Sequence, residues 1–434
     1  MIKLGIALIF LLAHTAGVST AIEVVSAEIE RPQDGNRASP AAPVQERIAY
    51  IGNLVTGPEG DQIYTMNRDG TGKKRLSPKH DGRAEMEWLQ RSPDGKYISY
   101  LSTYYVNGKS TRSFDYVSAD GLKRYSFQAP FDEDIRPAWS PTGDRIAYVD
   151  VARGTRGDIE YHHVRIHKLA DKSVMSAASA IQDIGDISSL CWSPDGSKLL
   201  CAMALVRGDG RFDVYVIDAG SGKAANITNK SAYYESLSWS KDGKRMLFSS
   251  SLTGNFDVYI MNADGRGLKN ITQSNEDESN PSWSPDGSRI SWLKFRSSQY
   301  DDRAGPRDLC IADASGALTN VVSDFWGPLL YLNSWAPDGS AILTGYRDSS
   351  GNNLILIDAR NGEKTYLTNT QCTFEWDDED GIHWLPDGSG IVFQGRMYGG
   401  YSSDIILCLR GTTDVINLTY SESLSWEGFV SPRK

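Results

Sequence analysis

The chain has 434 residues, of which 40% are hydrophobic, and its 45 lysines and arginines are outnumbered by 55 aspartates and glutamates, a formal net charge of −10 at pH 7. This acidic balance disfavours nucleic-acid binding, which depends on cations that neutralise phosphates. Beyond residue 20 no apolar tract is long enough to span a membrane, so we expect no stable span after removal of the leader described next.

The first 21 residues have the pattern of a signal peptide. Lys3 precedes an apolar run from Leu4 to Leu12, and Ser19-Thr20-Ala21 has the small residues of a cleavage site. A retained N-terminal anchor is the alternative, although the run is short for a span. Residues 22–45, rich in proline and small residues, are predicted to form a flexible mature N-terminus. The predicted location is the periplasm or the cell exterior.

One motif recurs along the rest of the chain. It is Trp283-Ser284-Pro285-Asp286-Gly287, and copies of it end at Gly95, Gly143, Gly196, Gly243, Gly339 and Gly388. Taken at positions 95, 143, 196, 243, 287, 339 and 388, the seven glycines are 44–53 residues apart, which is the period of propeller blades.

Each copy predicts a β-hairpin, because proline presets φ, aspartate suits the second turn position and glycine supplies the left-handed residue. The segment Phe256-Asp257-Val258-Tyr259-Ile260 predicts a third strand, and Asn270-Ile271-Thr272 predicts a fourth. Four antiparallel strands per repeat indicate an all-β fold, a β-propeller that occupies residues 46–434 as one domain.

The two ends of the chain set the number of blades. Residues 47–50, 62–64 and 75–77 predict the last three strands of a blade that has no first strand. The sequence of residues 422–426 repeats that of residues 235–239, a first strand, letter for letter. We therefore predict eight blades, closed by residues 422–429 pairing with the N-terminal blade. Seven blades is the alternative, if the divergent unit at 144–186 lies outside the ring.

These motifs resemble the TolB-type propeller repeat. The resemblance rests on Pro281 to Gly287, Asp257-Val258-Tyr259 and Asn270-Ile271-Thr272, and it covers residues 46–429. It implies the propeller fold and, for TolB itself, a periplasmic partner in an envelope-spanning complex, with an α/β domain ahead of the propeller. Since residues 22–45 are too few for such a domain, we expect none here. The same repeat occurs in peptidase propellers and in oligogalacturonate lyase-like enzymes, so the resemblance implies a fold more than an activity.

Residues that recur in every blade are expected to be scaffold, and function is expected where the blades differ. Ahead of most repeat tryptophans stands an acidic residue at the start of the first strand, a position that lines the mouth of the central channel. The acidic residues predicted to ring the mouth are Glu85, Asp134, Asp186, Glu235, Asp277 with Glu278, Asp380 and Glu422. Such a ring would attract a cation, with calcium as the candidate ion, or a basic peptide segment. The alternative is solvated loop ends.

One connector breaks the acidic pattern. Residues 325–331 carry no charge and include Phe325, Trp326 and Tyr331, which we predict to form a partner-binding patch. A loop folded over the adjacent blade is the alternative.

Arginines interleaved with tyrosines follow the second strands on the same face, among them Arg303 and Arg307. Guanidinium groups beside flat rings suit anionic glycans. A mixed solvated rim is the alternative.

Cofactor chemistry has little support in the sequence. The five cysteines show no C-x-x-C motif, and the histidines show no zinc spacing, so we predict no metal hydrolase and no cofactor other than the calcium candidate. A disulfide between Cys191 and Cys201, on either side of one hairpin turn, is left open.

The predicted function is a non-catalytic interaction module for a protein or another component of the cell envelope. The alternative is a carbohydrate-active enzyme, a lyase or hydrolase of an acidic polysaccharide, with Asp186, Glu235, His383 and Arg303 as candidate residues. No G-x-S-x-G motif supports a serine hydrolase.

Overall fold

The chain forms an eight-bladed β-propeller. The computed structural model describes residues 22–27, 45–52, 61–78, 83–106, 109–132, 134–153, 160–181, 183–206, 210–295, 307–322, 333–348, 351–368, 372–374, 382–397, 404–412 and 414–419. Across these segments the regular structure is antiparallel β-sheet, divided into eight sheets, so the predicted all-β propeller with eight blades is confirmed. The same segments contain no helix with the length and hydrophobicity needed to cross a membrane.

The strands follow one another blade by blade. Blade 1 contains β1 (Ile22–Ala27), β2 (Gln45–Gly52), β3 (Gln62–Asn67) and β4 (Lys74–Arg75). Blade 2 contains β5 (Arg83–Arg91), β6 (Tyr97–Val106), β7 (Lys109–Ser118) and β8 (Arg124–Gln128). Blade 3 contains β9 (Ala138–Trp139), β10 (Arg145–Arg153), β11 (Glu160–Lys168) and β12 (Val174–Ala177). Blade 4 contains β13 (Ile184–Trp192), β14 (Lys198–Leu205), β15 (Phe212–Asp218) and β16 (Ala224–Asn226).

The second half of the chain repeats this order. Blade 5 contains β17 (Tyr234–Trp239), β18 (Arg245–Ser250), β19 (Asp257–Asn262) and β20 (Lys269–Asn270). Blade 6 contains β21 (Glu278–Trp283), β22 (Arg289–Phe295), β23 (Arg307–Asp313) and β24 (Leu318–Val322). Blade 7 contains β25 (Ser334–Trp335), β26 (Ala341–Asp348), β27 (Gly351–Asp358) and β28 (Lys364–Tyr366). In blade 8, β29 (Cys372–Phe374) and β30 (Ile382–Trp384) both pair with β31 (Gly390–Met397), which is followed by β32 (Asp404–Leu409) and β33 (Val415–Asn417).

The way the ring closes differs from the prediction. The first strand of blade 1 is β1, which pairs with β2 from Ile22 opposite Tyr50 to Ala27 opposite Gln45. Residues 422–429, predicted to fill this place, lie outside the described residues. The prediction was wrong because β1 already occupies the edge of β2, and residues 22–27 are therefore a strand rather than the start of a flexible segment. The β-branched residues Ile22, Val24 and Val25 were the signal for it.

Side-chain packing joins the last blade to the first. Ile48, Tyr50 and Met66 of blade 1 share one buried cluster with Val392 and Leu407 of blade 8. Each sheet of the described chain consists of strands that are consecutive in sequence. The contact between blades 8 and 1 is therefore the same kind of face-to-face burial that joins the other blades, and apolar burial stabilises it.

The aspartate at the start of the third strand binds the end of the fourth. In blade 5, Asp257 accepts hydrogen bonds from Asn270 Nδ2 at 2.7 Å and Thr272 Oγ1 at 3.0 Å. Asp404 accepts the same bonds in blade 8, from Asn417 at 2.8 Å and Thr419 at 2.8 Å. This arrangement, which we call the Asp–Asn–Thr latch, gives the recurring Asn-x-Thr sequences a structural role, as the repeat argument predicts.

The register of blade 4 excludes the Cys191–Cys201 disulfide. Cys191 pairs with Leu200, whereas Cys201 pairs with Leu190, so the two side chains alternate onto opposite faces of the sheet. Cys201 packs among residues shared with blade 3, and Cys191 packs towards blade 5. Both thiols are free.

Candidate functional site

The first strands of successive blades surround the channel of the propeller. Each first strand is one edge of its sheet. The first strands of neighbouring blades contact each other, as shown by the pairs β13 and β17, β17 and β21, and β21 and β25. In blades 3 to 8 the strand before the turn ends at the repeat tryptophan, and in blade 2 it continues from Trp88 to Arg91 before the turn. An acidic residue at the beginning of a first strand therefore lies at the connector end of the channel, opposite the turns.

Five acidic residues from the predicted ring lie in the described chain with this placement. Glu85, Asp186 and Glu235 are in first strands, while Asp134 and Asp277 precede them. Asp134, Asp186, Glu235 and Asp277 are exposed, and Glu85 is half-buried. Asp380 and Glu422 of the predicted ring lie outside the described residues. The structure thus supplies a set of carboxylates at one end of the channel.

Two of the acidic residues also have local partners. Glu85 Oε2 accepts a hydrogen bond from the Tyr105 hydroxyl at 2.8 Å, and Asp277 Oδ1 accepts one from the Phe256 amide at 2.8 Å. These hydrogen bonds hold the two carboxylates in place at the mouth. Binding of a ligand there would therefore cost less side-chain entropy.

Glu278 does not belong to this exposed set. It is 1% exposed and lies between blades 5 and 6, where Ser274 Oγ donates a hydrogen bond to Oε1 and Oε2 has no hydrogen-bond partner among the described residues. Burial raises the pKa of Glu278 to about 7, with help from the nearby Asp257, although the bonds from Ser274 and Thr272 oppose the rise.

Position along the first strand decides which acidic residue is buried. In blades 5 and 6 the first strand shifts register between Glu235 and Ser238 and between Ser279 and Ser282, with Ser236 at φ 53° and Asn280 at φ 51°. Both blades have this bulge, but Glu278 lies one residue further from its repeat tryptophan than Glu235 does. Glu278 therefore takes the buried position that Tyr234 has in blade 5, whereas Glu235 takes the next position and faces solvent.

A histidine joins the acidic residues at blades 3 and 4, which the sequence did not predict. His162 Nε2 lies 2.9 Å from Asp132 Oδ2, and both side chains are largely buried. Burial acts to raise the pKa of Asp132, but the hydrogen bonds from His162 and from the amides of Asp134 and Ile135 outweigh it and hold the pKa below its usual value.

Asp186 of blade 4 lies close enough to this pair to be affected electrostatically. Partial loss of hydration among the surrounding protein atoms raises the pKa of Asp186, and the charge of Asp132 adds to the rise. The amide of Ile187 and the ring of His162 oppose it. The group Asp132, His162 and Asp186 is the part of the mouth where acid–base behaviour is most perturbed.

Of the residues predicted to bind a glycan or a partner through aromatic rings, Arg307 is buried and the others lie outside the described residues. Arg307 is 2% exposed, and its guanidinium lies 4.6 Å from the centre of the Phe295 ring, so it is held within blade 6. Arg303, Phe325, Trp326 and Tyr331 lie outside the described residues, and their predicted roles stay predictions.

A cavity of 610 Å³ lies deeper in the channel, towards the tryptophan end of blades 5 to 8. Its walls include Leu237, Pro281, Trp283, Trp335 and His383. The indole Nε1 atoms of Trp283 and Trp335 are buried and have no hydrogen-bond partner in the described part of the chain. The cavity walls therefore combine apolar side chains with polar ones, among them Ser236 and Asn333.

The described segments contain no preformed metal site. Among the described residues no group of three or more His, Cys, Asp and Glu side chains is arranged to hold a metal ion. What the described arrangement offers chemically is an acidic mouth above a mixed apolar and polar cavity.

Comparison with known proteins agrees with this fold. Residues 104–309 match the family model of the TolB beta propeller domain. Oligogalacturonate lyase in complex with manganese has a similar structure, with a TM-score of 0.54 and 13% identity over 84% of this chain and 97% of that chain. A prolyl endopeptidase analysed for inter-domain dynamics in catalysis gives a TM-score of 0.57 with 14% identity over 88% of this chain.

TolB from Acinetobacter baumannii is 22% identical over 63% of this chain, with a TM-score of 0.38. The matched region spans 62% of that TolB and 55% of the prolyl endopeptidase. The similarities to the prolyl endopeptidase and to oligogalacturonate lyase, with TM-scores of 0.57 and 0.54, support the fold alone.

Proposed function

We propose that this chain, whose residues 104–309 match the TolB beta propeller domain, is a non-catalytic binding module that holds a cationic segment of a protein partner at the connector end of its channel. The observation that carries this proposal is the placement of four exposed acidic residues, Asp134, Asp186, Glu235 and Asp277, at the same end of successive first strands. Carboxylates converging on one opening create a negative field that attracts and orients a basic ligand.

The cavity beneath the mouth suits the rest of such a segment. Leu237, Pro281 and Trp335 offer apolar surface, and Ser236, Ser282 and Asn333 add polar surface. A basic residue at the mouth followed by an apolar residue in the cavity would use both features, because charge gives orientation and buried apolar contact gives affinity.

The test measures binding of a synthetic peptide that alternates lysine with leucine to the purified protein by calorimetry. The variant Asp186→Asn with Glu235→Gln should weaken binding about three- to tenfold at low salt, because it removes two of the converging charges. Its matched control is Glu363→Gln with Asp414→Asn, which removes two exposed charges that precede the fourth strands of blades 7 and 8. Equal weakening in both variants would show that binding depends only on the net charge of the protein, and it would refute a site at the mouth.

Calcium is the candidate small cation for the same carboxylates. A calcium titration of the wild-type protein, with melting temperatures measured with and without chelator, tests this version separately. A rise in melting temperature that the Asp186→Asn, Glu235→Gln variant loses would support a calcium site at the mouth. No rise in the wild-type protein would remove calcium from the proposal and leave the peptide version unaffected.

A second candidate function is a lyase or hydrolase of an acidic polysaccharide. The observation in its favour is the perturbed group Asp132, His162 and Asp186, in which the raised pKa of one carboxylate and the lowered pKa of the other would suit an acid–base pair. Incubation with polygalacturonate or glucuronan should then release new chain ends, and His162→Gln should abolish the release. No chain ends above the level of a boiled sample would reject this candidate.

We also propose that the protein is exported to the periplasm or the cell exterior, which rests on the leader-like sequence of residues 1–21. N-terminal sequencing of the protein from a periplasmic extract should begin near residue 22. An intact first residue in the cytoplasmic fraction would refute export.

A further inference from the structure

Leu122 is the most exposed large apolar side chain in the described part of the chain. It is 79% exposed, whereas the next, Leu318, is 56% exposed. Leu122 lies in the turn of residues 119–123 that joins β7 to β8 in blade 2. We call this segment the Leu122 turn. A single exposed leucine is common on protein surfaces, so its surroundings decide what it can do.

The position of Leu122 in the repeat is polar or small in the other blades. In all eight blades the turn between the third and fourth strands is closed by a left-handed residue, and the residue that follows is exposed. In the other seven blades the residue that follows is Thr71, Ser173, Lys223, Arg266, Ala317, Glu363 or Thr412. The fold therefore does not require an apolar side chain at this position, and the leucine of blade 2 is available for another role.

Hydrogen bonds hold the Leu122 turn in shape. The Asp120 carboxylate accepts bonds from the Leu122 amide at 2.8 Å and from Ser118 Oγ at 2.5 Å. The Ala119 amide donates to the Lys96 carbonyl at 2.8 Å, in the Ser-Pro-Asp-Gly turn of the same blade. The leucine is therefore presented by a fixed turn at the end of the propeller that lies opposite the connectors.

Three cations lie at the Leu122 turn. Lys123 and Arg124 follow Leu122 in the chain and are exposed. Lys74 of blade 1 is also exposed, and its Nζ donates a hydrogen bond to the Asp120 carbonyl at 2.7 Å. Hydrogen bonds within the turn lower the pKa of the Asp120 carboxyl, and the charges of Lys74 and Lys123 add to this effect. Three cations beside one carboxylate make this group positive in a protein of net charge −10.

Arg124 and Lys74 lie on the same side of the turn. Tyr125 packs into a cluster shared with blade 3, so strand alternation directs Arg124 towards blade 1. Lys74 reaches the turn from blade 1. Burial raises the pKa of Tyr100, and the charges of Arg124 and of Arg75 from blade 1 oppose this rise. The cations therefore gather at the seam between blades 1 and 2.

An exposed leucine beside three cations matches the chemistry of an anionic lipid surface. An apolar side chain gains free energy by leaving water for the acyl region, and cations are attracted to the phosphate groups above it. The long apolar stems of lysine and arginine let their charges stay at the level of the phosphates. A soluble anion would use the cations but leave Leu122 in water, so the combination favours a lipid bilayer.

We propose that the Leu122 turn docks the propeller on an anionic lipid bilayer, with Leu122 at the edge of the acyl region and Lys74, Lys123 and Arg124 at the phosphates. The acidic residues of the channel mouth lie at the other end of the propeller. An anionic bilayer repels that end, so the mouth faces away from the lipid. Docking does not depend on the function proposed for the mouth.

The experiment is flotation of the purified protein with vesicles at low ionic strength. One set contains phosphatidylglycerol mixed with phosphatidylcholine, the other phosphatidylcholine alone, and the difference between the two is the quantity compared. We expect an apparent Kd of about 1 mM lipid for the mixed vesicles, because one leucine and three cations give weak, reversible binding. Salt at about 0.5 M should release the protein.

Two variants separate the leucine from the cations. Leu122→Ser gives the turn the residue type that blade 3 has at this position, so it should leave the melting temperature unchanged and weaken binding about tenfold. Lys123→Gln with Arg124→Gln should weaken binding at least about tenfold, at roughly fivefold for each cation. The matched control is Lys223→Gln with Arg266→Gln, which removes two exposed cations from the same turn of blades 4 and 5. This control should bind as the wild-type protein does.

The Asp186→Asn, Glu235→Gln variant of the channel mouth should bind the vesicles at least as tightly as the wild type, which separates this surface from the mouth. Absence of a preference for phosphatidylglycerol in the wild-type protein would overturn the proposal. Unchanged binding of Leu122→Ser would also overturn it, since ionic attraction alone would then account for the binding. Equal weakening in the two double variants would do the same, because binding would depend only on net charge.

Discussion

The guanidinium of Arg289 in blade 6 lies 5.0 Å from the ring centre of Trp335 in blade 7. Its Nη1 also donates a hydrogen bond to the Ala359 carbonyl at 3.1 Å. Arg145 over Trp192 and Arg245 over Trp283 repeat this contact at 4.8 and 5.0 Å. The repeat tryptophan is therefore not only part of its own blade, because an arginine from the preceding blade covers it and joins the two sheets.

This contact predicts that Arg289→Ala lowers the free energy of unfolding by about 1–3 kcal/mol, through loss of the cation–π contact and of hydrogen bonds to the next blade. Urea unfolding followed by tryptophan fluorescence measures the change. Arg266→Ala, at an exposed position, should change it by less than about 0.5 kcal/mol. Equal effects of the two substitutions would contradict the role assigned to Arg289.

The Asp–Asn–Thr latch predicts a larger loss for Asp257→Ala. Four donors lose their acceptor, from the side chains of Thr253, Asn270 and Thr272 and the amide of Ser274. We expect a loss of about 2–4 kcal/mol, because buried donors would be left unpaired. Asp414→Ala, an exposed aspartate in blade 8, serves as the control for loss of a charge. A loss no greater than that of the control would show that the latch does not stabilise the blade.

Glu278 predicts a pH dependence of stability with a definite sign. Its pKa is about 7 in the folded protein and near 4.5 when unfolded, so the folded state binds the proton more tightly. Stability should therefore fall as the pH rises through this window, by roughly 3 kcal/mol from this residue. Glu278→Gln should remove that fall and make the protein more stable than the wild type above pH 7.

The control for this prediction is Glu276→Gln. Glu276 lies two residues away, and its bond with Lys294 lowers the pKa of its carboxyl, so its contribution is lost only at pH values below that window. Chemical denaturation across the pH range gives both curves. If Glu278→Gln left the slope between pH 4.5 and 7 unchanged, the buried carboxyl would not be the titrating group.

Because the cysteine thiols are largely buried, we expect them to react slowly with alkylating reagents. All five cysteines are free, and burial raises the pKa of Cys191 and Cys310 to about 12. The thiolate is the reactive form, so iodoacetamide should label the native protein slowly at pH 8 or below and all five cysteines after denaturation. Mass spectrometry counts the labels. Rapid labelling of Cys310 in the native protein would show that blade 6 opens readily.

The period of the Trp-Ser-Pro-Asp-Gly motif predicted seven blades, and the strand-like residues 47–50, 62–64 and 75–77 predicted the eighth. Turn chemistry is local, since the proline, aspartate and glycine positions specify a hairpin whatever surrounds it. The same regularity identified Asp257, Asn270 and Thr272 as scaffold, and the hydrogen bonds of the latch supply the reason. The acidic residues ahead of the first strands were likewise visible in the sequence, because a strand that starts at the channel mouth brings its first residues there.

Tertiary structure decided what depends on contacts between distant segments. The edge of β2 pairs with β1, which the repeated sequence at residues 422–426 did not indicate, because sequence identity does not measure the pairing energy of two strands. The bulge at Ser236 in blade 5 and at Asn280 in blade 6 sets which face the residues before it take, because a bulge reverses the alternation of faces and its position has no local signal.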